Sequence, residues 1–247
     1  MISTLFNALI SQPFYNGLVL LINFLPFLDA GVIVIIFTII IKILLLPLSL
    51  KASKAQIQMK SVEKDLALIK EKHKDSKEEQ SRKTIEYYKE KGINPFSGIF
   101  ILLIQLPIII GLYRVFLKSG LPQINTANLY PFVLALNASA PKINMMFLGI
   151  VDIAQKSIIL ALIAGLTTYF QISLANSQGP QSTGGGMQQD IAKVMAVQMK
   201  YFFPIIVVFI SYSISALLSL YWITSNLFAI GQEIYIKKKY HKTTLVA

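Results

Sequence analysis

Long apolar segments separated by short polar ones dominate the pattern of this chain. The clearest is GVIVIIFTIIIKILLLPLSL, residues 31–50, which has roughly the 20 residues that a helix needs to cross a bilayer. Its one charge, Lys42, lies near the middle, where a charge costs about 2.5–3.5 kcal/mol to insert. The surrounding Ile, Leu, Val and Phe residues each contribute about −0.3 to −0.6 kcal/mol, so insertion is still expected. Lys42 therefore either snorkels to the interface or lines a wet cavity inside a helix bundle.

Further apolar segments predict an all-α membrane protein with five transmembrane helices. The other spans are residues 95–117, an irregular crossing within 119–156, residues 157–175 and residues 203–230. The N-terminal region, residues 1–30, differs because Asn7, Gln12, Pro13 and Asn16 interrupt its apolar pattern. This pattern predicts an amphipathic helix over residues 3–24 that lies in the membrane interface. A kinked extra span is the alternative.

A polar block, residues 51–93, follows the first span and predicts a helical hairpin. Its first helix is expected over about residues 51–72. Ser76 and Glu79 form an S-x-x-E capping box for the second helix, and Gly92 is its stop signal. A merely solvated charged loop is the alternative. The core then covers residues 31–236, with an extracytoplasmic loop at 176–202, rich in Gly, Ser and Gln over residues 176–190, and a basic cytoplasmic tail at 237–247.

Basic residues set the expected orientation. The chain has 23 Lys and Arg residues against 12 Asp and Glu, a net charge of +11. With the 51–93 hairpin inside the cell, seventeen basic residues lie inside and five outside. The positive-inside rule then predicts an outer N-terminus and a cytoplasmic C-terminus.

Composition also limits the chemistry. There is no cysteine, which excludes disulfides, thiolate metal sites and a cysteine nucleophile. The two histidines, His73 and His241, both lie in polar segments away from the spans. No nucleotide-binding motif is present. The sequence therefore predicts no catalytic site, no metal and no cofactor, and the protein is not expected to be an enzyme.

A polar stripe on the predicted fifth span is the main candidate site. At helical spacing its members fall within about 80° of the helix circumference; they are Ser211, Ser215, Ser219, Trp222 and Asn226. Small hydroxyl residues on one face are most often a packing interface. Other spans add Lys42 with Thr38 one turn earlier, Gln105, and Gln171. Together these side chains suggest a hydrophilic groove between helices.

Four stretches carry a resemblance to a known family. They are GINPFSGIFILLIQLPIIIGLYRVF (92–116), IIIKILLLPLSLKASKAQ (39–56), ALIAGLTTYFQ (161–171) and LYWITSNLFAIGQEIYI (220–236). They resemble, respectively, the second, the first, the fourth and the end of the fifth span of the YidC/Oxa/Alb family of membrane protein insertases. The resemblance implies a five-helix core around a positively charged groove, open to the cytoplasm and to lipid. Lys42 stands where the family usually has arginine; lysine keeps the charge without the planar fork of donors.

The resemblance also implies a function. The chain is expected to insert nascent membrane proteins into a bacterial cell membrane, and to help them fold, without nucleotide hydrolysis. Its partners would be nascent membrane proteins and the lipid bilayer, with no specific nucleic-acid sequence. Contact with the ribosome through the basic tail and hairpin, and with the Sec translocon, stays open. The alternative is an ion-coupled or passive transporter, although the predicted spans contain no acidic residue near their middle.

Overall fold

The computed structural model describes residues 2–94, 107–111, 113–115, 124–136, 143–176 and 187–244. These residues are mostly helical and include one two-stranded sheet. Four of their helical segments are long and apolar enough to cross a membrane: Thr4–Phe24, Ala30–Ala55, Ile158–Ala175 and Val197–Ile214. The expectation of an all-α membrane protein is therefore confirmed. The chain divides into two compact units, the first built from residues 1–44, 104–168 and 205–228, the second from residues 45–103, 169–204 and 229–247.

The N-terminal segment is helical throughout. Helix α1 (Ile2–Phe6) continues through a π-helical turn (Asn7–Ser11) into helix α2 (Gln12–Phe24). Asn16, one of the polar interruptions, is buried: its amide nitrogen donates to Asn128 O at 3.0 Å and its oxygen accepts from Tyr130 N at 2.7 Å. This polar side chain thus faces protein and not water. The interfacial position of the helix remains a prediction.

The first predicted span is confirmed as helix α3 (Ala30–Ser61), which continues past Pro47. Asp29 caps its start, accepting from Val32 N at 2.9 Å. The first helix of the hairpin was predicted over residues 51–72, and this is wrong, because α3 includes residues 51–61. Helix α4 (Glu63–Lys72) begins only after a break at Val62. The break lets Val62 enter a buried apolar cluster, which outweighs the continuity of the helix.

The remainder of the hairpin follows the prediction. Helix α5 (Lys77–Glu90) starts at Ser76, whose hydroxyl accepts from Glu79 N. The apolar cluster joins α4 to α5; it contains Val62, Leu66, Tyr88 and Ile93. At the cluster's edge the Tyr87 hydroxyl donates to the Asp65 carboxylate, and this hydrogen bond raises the pKa of Tyr87 to about 12.

The predicted third crossing within 119–156 is wrong for the described part of that segment. It contains a 3-10 turn (Thr126–Asn128), the six-residue helix α6 (Pro131–Leu136), and strands β1 (Met146–Phe147) and β2 (Val151–Asp152). None of these elements approaches the roughly 20 residues that a spanning helix needs. The strands pair antiparallel as a β-hairpin. The following span is confirmed as helix α7 (Ile158–Asn176).

The predicted fifth span, residues 203–230, is also wrong as one continuous helix. Helix α8 (Met187–Ile214) ends before Ser215, and helix α9 (Ala216–Thr244) begins after it. The amides at the break bond to another segment: Ala216 N donates to Gln155 O at 2.9 Å and Leu217 N to Ile153 O at 3.1 Å. Because α8 starts at Met187, the predicted loop 176–202 is wrong over residues 187–202. Residues 177–186 lie outside the described residues.

Candidate functional site

Lys42 and Thr38 lie one turn apart on α3, in the first unit. Thr38 is buried, and its hydroxyl donates to Val34 O at 2.7 Å. Lys42 is half-buried. Phe37 and Ile41 on this helix are buried, whereas Ile43 and Leu44 are exposed. Lys42 therefore lies at the border between the side of α3 that packs against protein and the side that faces outward.

The five members of the predicted stripe do not share one helix. Ser211 lies on α8, Ser215 at the break, and the other three on α9. Ser211 and Ser219 are fully buried, and within the described residues their hydroxyls have no hydrogen-bond partner. Trp222 is also buried, and Ser215 is half-buried. Such burial is typical of small residues that bring helices close together.

The Asn226 side chain forms hydrogen bonds that link two helices. Its side-chain nitrogen donates to Thr168 Oγ1 at 2.8 Å and lies 3.2 Å from Thr167 Oγ1. Thr168 in turn donates to Ala164 O within α7. The two threonines were missed by the sequence analysis, although two adjacent hydroxyl residues in an apolar span were a visible signal. The contact joins α7 to α9 inside the first unit.

We expect a measurable coupling between Asn226 and Thr168. A double-mutant cycle with Asn226→Ala and Thr168→Val should give an interaction free energy of about 0.6 kcal/mol and at most about 1.7 kcal/mol, the average and the maximum found for hydrogen bonds between membrane helices. The measurement is reversible unfolding in mixed micelles. Thr224→Val is the matched control, because the Thr224 hydroxyl bonds within α9 to Leu220 O. Additive effects of Asn226→Ala and Thr168→Val would contradict the assignment.

The remaining predicted groove residues are placed differently. Gln171 is half-buried on α7 and belongs to the second unit. Gln105 lies outside the described residues.

The second unit also holds two polar contacts that were not predicted. Ser49 Oγ donates to Gln232 Oε1 at 2.9 Å, and Lys237 Nζ donates to Leu174 O at 2.9 Å, which places a cation at the C-terminal end of α7.

The described residues offer no group of three or more His, Asp or Glu side chains that could hold a metal ion. Lys42 supplies a positive charge, which can attract acidic groups. The hydroxyl and amide groups of Thr38, Thr168 and Asn226 already bond within the protein.

Comparisons with known proteins agree with this architecture. The family model described as 60Kd inner membrane protein matches residues 22–243. A relative named membrane protein insertase YidC from Clostridium tetani is 32% identical over 213 residues, which are 86% of this chain and 84% of the relative. A protein of the same name from Fusobacterium nucleatum is 33% identical over 85% of this chain and 86% of its own length.

A third relative extends the comparison to longer proteins. The membrane protein insertase YidC of Francisella tularensis subsp. novicida is 30% identical over 86% of this chain but only 33% of its own length. The match thus covers most of this chain and about a third of that longer protein. The family model covers most of the chain, and two relatives match along most of their length. The chain therefore belongs to the YidC/Oxa family, described by its model as 60Kd inner membrane protein.

Proposed function

We propose that this chain is a membrane protein insertase that uses a positively charged, hydrated groove around Lys42. The observation that carries the mechanism is a half-buried lysine within an otherwise apolar spanning helix, at the border of its protein-facing side. A charge in such a place is typical of a functional site. The family membership and the names of the two full-length relatives support the same function.

The proposed mechanism lowers the barrier to translocating a polar segment. In hydrocarbon each unsatisfied backbone group costs several kcal/mol, so a hydrophilic tail cannot cross unaided. A groove that admits water part of the way shortens the apolar path. Lys42 attracts acidic groups of the substrate tail, while the substrate's apolar helix moves into lipid and supplies the driving free energy. The process needs no nucleotide hydrolysis.

The observed helices lead us to propose a revised topology. Spans are assigned to α3, α7, α8 and the apolar part of α9, together with the span predicted from sequence at residues 95–117, which lies largely outside the described residues. The segment Thr4–Phe24 is kept at the interface, as predicted, although it is also long and apolar enough to cross. The N-terminus is then outside and the basic tail inside, as predicted, but residues 177–186 move to the cytoplasmic side. Lys156 moves outside and Lys193 inside, which leaves seventeen basic residues inside and four outside, with Lys200 in a span. The positive-inside rule supports this arrangement. The hairpin and the tail would then both be available to a nascent chain or a ribosome.

Two single cysteines distinguish the revised topology from the one predicted from sequence. The chain has no cysteine of its own, so Ala154→Cys and Ser182→Cys can each be labelled alone with a membrane-impermeant maleimide. We expect Ala154→Cys, whose parent side chain is exposed, to react in intact cells. Ser182→Cys should react only after permeabilisation. The reverse pattern would refute the revised topology.

Reconstitution tests the function itself. Proteoliposomes that contain only this protein should insert a short single-span substrate, scored by protease protection, at a rate well above that of empty liposomes. A transporter is the second candidate, because the acidic residue Glu233 is half-buried on α9, just beyond the predicted fifth span. The same proteoliposomes should therefore be tested for proton and solute flux. Flux without insertion would favour the transporter and reject the insertase.

A further inference from the structure

The tip of the β1–β2 hairpin presents apolar side chains away from the protein. Leu148 is 63% exposed and Ile150 is 78% exposed. The tip is also conformationally unusual, since Leu148 has φ +51° and Gly149 has φ +71°. Glycine adopts the left-handed region readily, but a leucine there is rare and strained. Neither backbone preference nor burial within the described structure therefore accounts for Leu148 at this position.

Three contacts fix the hairpin at the beginning of α3. The Asp29 carboxylate, which caps α3, also accepts from Leu148 N at 3.1 Å. Ala30 N donates to Asn144 O at 2.8 Å. Phe147 packs so closely on Gly31 that a β-carbon at residue 31 would lie 2.3 Å from its ring. Because α3 is long and apolar enough to span a membrane from Ala30 onward, these contacts hold the hairpin at the end of a candidate span.

Further exposed apolar side chains lie just before α3 and at the start of α7. Phe27, two residues before Asp29, is 78% exposed, and Phe24 is similarly exposed. At the other end of the hairpin segment, Ile158 and Ile159 begin α7 with exposed side chains. An exposed apolar surface that adjoins a membrane span is more readily covered by lipid than by water.

We propose that the β1–β2 hairpin is a membrane anchor, whose tip residues Leu148 and Ile150 insert into the lipid leaflet at which α3 begins. The occupant is lipid, because the tip is held at the end of a candidate span and its apolar side chains are exposed, as are those of Ile158 and Ile159 at the start of α7. The strained backbone at Leu148 places a large apolar side chain at the point of the turn, and Asp29 fixes that turn to the end of the span. The anchor would set the depth and tilt of α3, the helix that carries Lys42.

Site-specific fluorescence tests the anchor. Leu148→Cys and Ile150→Cys are each labelled with an environment-sensitive fluorophore and reconstituted into vesicles of phosphatidylethanolamine and phosphatidylglycerol. Ala154→Cys is the matched control, because Ala154 is exposed in the same segment but beyond the hairpin. Lipids carrying a nitroxide near the headgroup then quench any label that lies in the interface. The Ile150→Cys variant is expected to fold even if Leu148→Cys does not, because the Ile150 side chain is mostly exposed.

We expect blue-shifted emission and at least threefold stronger quenching at positions 148 and 150 than at position 154. Equal, water-like emission at all three positions in vesicles would overturn the proposal. A label that stays water-like in vesicles but shifts when a substrate protein is added would also overturn it, because the tip would then bind protein. Strong quenching at 150 with a misfolded Leu148→Cys variant would still support insertion of the tip.

Discussion

Replacing Lys42 by glutamate should lower the insertion of substrates with acidic tails more than about tenfold, while Lys42→Arg should keep most of the activity. Two unit charges about 8 Å apart at an effective dielectric constant near 20 interact by about 2 kcal/mol. Charge reversal turns this attraction into repulsion, and each 1.4 kcal/mol changes a rate by about a factor of ten. Insertion into proteoliposomes, scored by protease protection, measures the effect.

A matched control tests whether the lysine must lie on a particular side of α3 or need only be present in the helix. The double variant Lys42→Ala/Ile43→Lys keeps one lysine at nearly the same depth of α3 but moves it to a position whose side chain is exposed. This variant should insert acidic-tailed substrates as poorly as Lys42→Ala does. Substrates with neutral tails should be much less affected by any of these changes. Full activity of the Lys42→Glu variant, or an equal loss for acidic and neutral tails, would reject the role of Lys42 as an attracting charge.

The elements that the sequence predicted well are those in which a local property decides the structure. Residues 31–50 and 157–175 are apolar over the thickness of a bilayer, and both are helical. Ser76 and Glu79 form a cap from residues three apart in sequence, and the observed helix α5 begins there. In each case length, composition or a short capping motif suffices.

The elements that were predicted wrongly depend on distant partners. Nothing in the local sequence around Ser215 stops a helix, since neither proline nor glycine occurs there. The helix is broken because the amides of Ala216 and Leu217 bond to carbonyl groups some 60 residues earlier. Those carbonyls belong to the segment that was predicted to cross the membrane. The two errors therefore concern segments that are bonded to each other.

The candidate site shows the same division. The charge at Lys42 was visible because a lysine among apolar residues is conspicuous in any sequence. The roles of the polar residues were less visible, because helical periodicity shows which residues share a face but not what that face contacts. Asn226 bonds to Thr168, and Ser219 is buried. Periodicity alone could not distinguish these contacts from the wall of a hydrated groove.

The contact between Gly31 and Phe147 should be the most sensitive packing contact at the end of α3. A β-carbon on Gly31 would lie 2.3 Å from Phe147 Cδ2 and 2.8 Å from its Cγ. The ring cannot move away freely, because Phe147 pairs with Val151 and the next residue bonds to Asp29. Gly31→Ala must therefore displace the β-hairpin from α3, or strain it.

Gly31→Ala should accordingly destabilise the protein by about 1–3 kcal/mol, the usual cost of overpacking, and lower its apparent melting temperature in detergent micelles. In a Phe147→Ala background the same substitution should cost much less, because, of the three atoms that it meets, only the β-carbon of residue 147, at 3.0 Å, remains. Gly231→Ala is the control: a β-carbon there meets no atom within 4 Å, and alanine is the better helix former, so the melting temperature should stay the same or rise. Equal losses from Gly31→Ala with and without Phe147 would show that the close contact does not hold the hairpin. If Gly31→Ala lowers the stability only when Phe147 is present, Gly31 is the residue that lets the β-hairpin pack against the start of α3.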